Sequence, residues 1–183
     1  MKIGHIFVLR KDRLYAVSYD EMKDHVLTDL YDKWTDVQYL EEFFNKYECD
    51  LRTAFYGYIG IEEAIERTIE EAEQLHEKLY ELAESEYENQ LDTLFRPLND
   101  NVYVLENYQK SKAKGLSSRK SWLRIYAVRY DDVYVITGGA IKLTFKMEGR
   151  NHLEKELKKL DKVRDYLKFD LNEEDFIYTE FNH

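Results

Sequence analysis

A single cysteine, Cys49, rules out an intrachain disulfide and any cysteine-built metal site within one chain. It reads as a core or near-core thiol, since a nucleophile needs exposure and a lowered pKa. No window approaches about 18 uninterrupted apolar residues, and Met1-Lys2-Ile3-Gly4-His5 opens no secretory apolar segment, so no membrane contact and a cytoplasmic location are expected. No Gly-x-Gly-x-x-Gly fingerprint, P-loop or Gly-x-Ser-x-Gly elbow occurs, and Gly138-Gly139 reads as a bulge or close backbone approach. Glu73-x-x-His76 has the helical spacing used in di-iron bundles, but no second such pair accompanies it, because His25 follows Glu21 at four residues. Neither a metal nor a cofactor is therefore expected.

What the chain does have is apolar and aromatic content, at 44% and 15%, including 16 tyrosines suited to half-buried positions with a polar tip. With 183 residues it should form one elaborated domain: a hairpin and helices over 1–100, a sheet and helix over 101–169, and an acidic tail over 170–183. Net charge is 27 − 37 = −10, which argues against indiscriminate nucleic-acid binding. The total hides a polarity. Lys110 to Lys168 holds 16 Lys/Arg against 7 Asp/Glu, leaving 11 against 30 elsewhere, so the basic part is either a shielded nucleic-acid surface or half of an internal charge match.

In chain order, Ile3–Arg10 and Arg13–Tyr19 predict a hairpin about Lys11-Asp12. Val26, Leu27, Leu30, Tyr31 and Trp34 mark one side of a helix over Asp20–Trp34, and Thr35-Asp36-Val37-Gln38 has the form of a capping box for the next. Ala54–Gly60 reads as a buried connector. Ile61 to about Gln90 predicts a long amphipathic helix whose stripe of Ile65, Thr68, Ala72, Leu75, Leu79 and Leu82 would lie on a sheet or pair with another helix, within the chain or across a homodimer. Pro97 breaks the chain, Val102–Leu105 suggests a strand, and Lys110–Ser121 reads as a mobile basic loop. A final helix capped by Asn151 would bury Leu153, Leu157, Leu160 and Leu167, with Val163 or Tyr166.

The stretch Trp122–Met147 carries the functional expectation. Two strands about Asp131-Asp132 place Tyr130 opposite Val133, Val128 opposite Val135 and Tyr126 opposite Thr137. A third strand from Ala140 to Met147 would complete a small antiparallel β-meander, giving an α+β fold. Should the faces coincide, Arg124, Tyr126, Lys142 and Lys146 gather on one water-facing surface rimmed by Lys112, Lys114, Arg119, Lys120 and Arg150. Such a surface suits single-stranded RNA, since cations neutralise phosphate, rings stack bases and a Lys or Arg stabilises charge as the 2′-OH attacks. The opposing expectation is a solvated basic face with structural tyrosines. His152 would be a general acid beside Lys146 and Arg150, or a surface residue whose cation the helix N-terminus disfavours.

The run Tyr134-Val-Ile-Thr-Gly-Gly-Ala-Ile-Lys-Leu-Thr-Phe-Lys146, followed by a basic helix, resembles the C-terminal part of HigB/RelE-type toxins of bacterial toxin–antitoxin modules. The resemblance implies metal-independent cleavage of mRNA, on the ribosome or free, and inhibition by an antitoxin. Lys142, Thr144 and Lys146 match the motif and Arg124 matches a basic strand residue, whereas Leu143 and Met147-Glu148 stand where the family has a second Lys and a Pro. The whole chain also resembles a family of uncharacterised bacterial proteins sharing Trp-Leu-Arg-Ile-Tyr-Ala and Ile-Thr-Gly-Gly-Ala-Ile-Lys-Leu-Thr. A non-enzymatic protein that dimerises or binds a partner through its long acidic helix is the alternative.

Overall fold

Two tight turns organise the sheet. In the computed structural model, which describes residues 2–20, 22–52, 58–98, 107–116 and 120–171 and the backbone of 176–178, β1 (Ile3–Arg10) and β2 (Leu14–Tyr19) meet at a turn with Asp12 at φ 59°. Aspartate tolerates this left-handed conformation better than most residues. Asp131 does the same, at φ 50°, between β5 (Leu123–Tyr130) and β6 (Val133–Ile141). Its two-residue turn sets Tyr130 opposite Val133 and Val128 opposite Val135, as expected. Beyond them the register slips, because Ala127 faces Ile136 while Tyr126 faces Gly138. Thr137 is the extra residue of a bulge, its Oγ1 donating to the Tyr126 carbonyl at 3.2 Å.

The α+β class holds, with the meander displaced. β6 runs straight through Gly138-Gly139 to Ile141, and residues 142–147 form no strand. The third strand lies on the other side of β5. The basic run expected to be a loop contains β4 (Gln109–Lys114), which pairs with β5, and β3 (Phe95–Pro97) pairs with β4 at the edge. Gln109, Ser111 and Ala113 are the buried alternate positions of β4, too small or polar to announce a strand by hydrophobicity. With β7 (Phe176–Tyr178), the strand order is β3-β4-β5-β6-β2-β1-β7, antiparallel except for the parallel pairs β2–β6 and β1–β7.

Among the described residues there are five α-helices, α1 (Val26–Thr35), α2 (Val37–Lys46), the single turn α3 (Glu48–Leu51), α4 (Ile61–Glu84) and α5 (Asn151–Phe169), of which α1, α4 and α5 pack on the sheet. α1 starts later than expected, at a cap formed by His25, whose side chain accepts from Thr28 N. Asp36, not Thr35, caps α2, accepting from Tyr39 N at 2.9 Å, and Arg150 rather than Asn151 occupies the cap of α5. α4 stops at Glu84, short of Gln90. Its apolar stripe packs against α1, α2 and β5 within one chain, leaving Glu62, Glu66, Glu70, Glu73 and Glu77 exposed. The stripe is thus buried in cis, against other helices and the sheet. Cys49 is exposed rather than near the core. Tyr58 of the connector is 91% exposed and Ile59 is buried, while the rest of it through Gly57, with the suggested Val102–Leu105 strand, Arg119 and most of the tail, lies outside the described residues. Among the described residues no helix is long and apolar enough to cross a membrane.

Side chains on successive strand residues point to opposite faces, and the glycine pair uses both. A Cβ at Gly138 would sit 2.0 Å from Glu156 Oε2 on α5, and one at Gly139 would sit 2.9 Å from Leu30 Cδ1 on α1. These two positions let α5 approach β6 from one face and α1 from the other. Because β2 pairs only with Tyr134–Ile136, the second half of β6 has an open edge, where α1, α2 and α5 converge.

Candidate active site

The cationic sheet face does not form. Arg124 and Tyr126, at 8% and 1% exposure, share the face on which α5 lies. Arg124 Nη1 donates to the carbonyls of Ser121 and Leu123 at 2.8 and 2.6 Å, and burial pushes the Tyr126 phenol up to about 12. Both act as core residues here, because the sheet is covered on both sides. Lys142 donates to the Phe145 carbonyl at 2.6 Å and Lys112 to that of Leu98 at 2.8 Å. Lys114, Lys120 and Lys146 are exposed, and Arg150 grips Asp50 with two bonds of 2.6 and 2.5 Å. The expected cations therefore scatter between core, rim and ion pair. Among the described residues no group of three His, Cys, Asp or Glu side chains is placed to hold a metal ion; His76 packs between the rings of Tyr31 and Tyr80.

The open edge of β6 holds a different constellation. A cleft of about 360 Å³ lies there, within the size range of small-ligand sites. α5 contributes His152, Glu156 and Lys159 at helical spacings of four and three, hence on one side of the helix. α1 contributes Lys33, and α2 contributes Tyr39, Phe43 and Lys46, with Tyr47 just beyond its end.

Glu156 occupies a slot in the buried stripe Leu153-Glu156-Leu160-Val163-Leu167, where the sequence reading expected Leu157. One carboxylate oxygen accepts from Lys159 Nζ at 2.6 Å; the other, Oε2, is buried with no hydrogen-bond partner. Burial raises the carboxyl pKa, opposed by the Lys159 charge and bond, by the nearby Gly139 amide and by Lys33. That amide favours the anion without completing a bond of ordinary geometry. Lys159 also lies 5.5 Å from the ring centre of Tyr19, whose hydroxyl donates to the Thr137 carbonyl at 2.7 Å.

His152 is half-buried rather than a surface residue, its ring 4.6 Å from that of Tyr47 and 5.5 Å from that of Phe43. Its Nε2 lies 3.2 Å from the Ile141 carbonyl, which can only accept, so Nε2 carries the proton. Nδ1 is then a bare acceptor, buried and unpartnered. Burial lowers the imidazole pKa and Arg150 and Lys46 lower it further, against the Ile141 bond and Asp50. Around this pair stand Lys33, bonded to Asp29 at 2.6 Å, and Lys46, 5.4 Å from the Tyr47 ring centre.

Burial thus shifts two groups on one side of α5 in opposite directions, the His152 imidazole downward and the Glu156 carboxyl upward. Neither Glu156 nor the lysines of α1 and α2 figured among the sequence-derived site residues. The available signal was a carboxylate standing in the apolar stripe of α5, four residues after His152. Comparison of the chain with family models, with curated proteins and with solved structures finds no match.

Proposed function

We propose that this cleft binds one nucleotide unit of single-stranded RNA in the cytoplasm and cleaves the phosphodiester beside it without a metal. The toxin-like chemistry expected from the sequence is retained and its location changed. His152 Nδ1 takes the proton of the ribose 2′-OH, whose oxygen forms a bond to phosphorus. Glu156 gives its proton to the departing 5′-oxygen as the P–O5′ bond breaks, leaving a 2′,3′-cyclic phosphate and a 5′-hydroxyl. Lys33, Lys46 and Lys159 offset the charge gathering on the non-bridging oxygens, and Tyr39 and Phe43 flank the base. The observation that carries this reading is the pair of unpartnered buried atoms, His152 Nδ1 and Glu156 Oε2, on residues lining one cleft with three lysines.

The test is incubation of the purified protein with single-stranded RNA in the presence of a chelator. Cleavage should yield cyclic-phosphate ends, spare DNA for want of a 2′-OH, and fall roughly 10²–10⁴-fold in His152→Ala and in Glu156→Gln. Induced expression should arrest bacterial growth, and His152→Ala should relieve the arrest. Undiminished cleavage in both variants, or none in the parent protein, sinks the proposal.

A further inference from the structure

Ile141, whose carbonyl holds His152, is followed by Lys142–Met147, and Phe145 is reached within about 14 Å of extended chain. This segment is irregular but fastened. Lys142 N donates to the Trp122 carbonyl at 2.7 Å, Lys142 Nζ to the Phe145 carbonyl at 2.6 Å, and Thr144 Oγ1 to the Lys146 carbonyl at 2.6 Å. The facing residue is fastened too, since Arg67 Nη2 donates to the Lys120 carbonyl at 2.5 Å.

On this frame the Phe145 ring is 70% exposed, with the Lys120 ammonium 6.0 Å from its centre and Leu116 and Lys146 also exposed. Keeping a phenylalanine in water forgoes the stabilisation its burial would bring, and here side-chain bonds tie the loop that displays it. A ring beside an ammonium group, with a second lysine next to it in the chain, is suited to successive nucleotides, the ring stacking a base and the cations following the phosphates.

We infer that residues 142–146 and Lys120 form a second subsite, on which single-stranded RNA leaving the cleft stacks a base on Phe145 and lays its phosphates along Lys120 and Lys146. This inference rests on the RNA reading of the cleft and specifies its substrate as an oligonucleotide rather than a free nucleotide or dinucleotide. The charge fits: the platform belongs to the basic part of a chain whose net charge is −10, so an extended polyanion meets attraction here and repulsion at the acidic face of α4.

The experiment compares kcat/KM for an RNA dinucleotide and a single-stranded hexanucleotide, in the full-length protein and in Phe145→Ala and Lys120→Ala. The parent protein should cleave the hexanucleotide about tenfold or more better. Both variants should lose that advantage while cleaving the dinucleotide at the parent rate. Equal rates on the two substrates in the parent protein, or an advantage retained in Phe145→Ala, overturn the platform; the cleft reading survives provided His152→Ala abolishes dinucleotide cleavage. Absence of cleavage on both substrates overturns both.

Discussion

Two buried glutamates, both standing in the apolar stripe of a helix, have opposite surroundings. Glu71 of α4, 2% exposed, accepts from Arg67 Nε at 2.9 Å and from the Ser121 hydroxyl. The same corner is closed by Trp122, whose Nε1 donates to Thr68 Oγ1 at 2.9 Å and whose ring lies 4.3 Å from the Arg67 guanidinium. Glu156 of α5, 8% exposed, has Lys159 on one oxygen and nothing within bonding geometry on the other. A carboxylate with both oxygens answered ties elements together. One left half-answered costs folding energy, and that is the atom the proposed mechanism draws on.

The largest expected effect separates them by stability. Glu71→Ala strands a largely buried Arg67 guanidinium and should cost about 3–5 kcal/mol in urea denaturation, the range for breaking a buried pair. Glu156→Gln keeps the shape, stands in for the protonated carboxyl, and should change stability by under about 1 kcal/mol. Equal losses would put both carboxylates in the same structural role.

Next in size is Gly138→Ala. The new Cβ meets Glu156 Oε2 at 2.0 Å on a backbone at φ +155°, so about 2 kcal/mol should be lost. RNA cleavage should fall with it, because the carboxylate is pushed from its place. Repeating the substitution in a Glu156→Ala background should recover part of the stability, a coupling that double-mutant analysis measures directly. Purely additive losses would mean that Gly138 is not what seats Glu156.

The smallest effect is on pH dependence. Burial lowers His25, His76 and His152 below their ordinary 6.5, and Asp24 opposes the shift at His25 while His76 adds to it. The folded state therefore holds fewer protons than the unfolded chain at these sites, and their contribution to stability, present above pH 6.5, is lost as pH falls toward the lowered folded values. Glu156 works in the opposite sense, since its raised pKa favours the fold as pH falls toward the ordinary 4.5. With three groups against one, thermal melts should show lower stability at about pH 5.5 than at pH 7. His25→Asn retains an acceptor for the α1 cap and should flatten the slope; an unchanged slope would remove His25 from the account.

Much of the fold was legible from local chemistry. Asp12 and Asp131 announced both turns, and the two-residue break before Val133 set the register as far as Val128–Val135. The stripe of α4 was readable from its spacing, although its end was not, because Glu84-Ser85-Glu86 carries no stop signal. β4 was missed because its buried side chains are Gln109, Ser111 and Ala113, so strand pairing outweighed a loop-like composition. The site was the least legible part. Alternation correctly separated the Arg124 and Tyr126 side of β5 from its neighbours, yet alternation says nothing about whether water or a helix lies on that side.

The sequence by itself determined the α+β class, the hairpins, the amphipathic stripes and the concentration of basic residues in the C-terminal part, since each follows from neighbours within a few residues. Tertiary structure alone decided that α5 closes over Arg124 and Tyr126, that β6 keeps an open edge past Ile136, and that His152 and Glu156 share a cleft with lysines of α1 and α2. Those outcomes depend on contacts such as Arg150 with Asp50, 100 residues apart in the chain, where packing and desolvation, not local propensity, choose the partner.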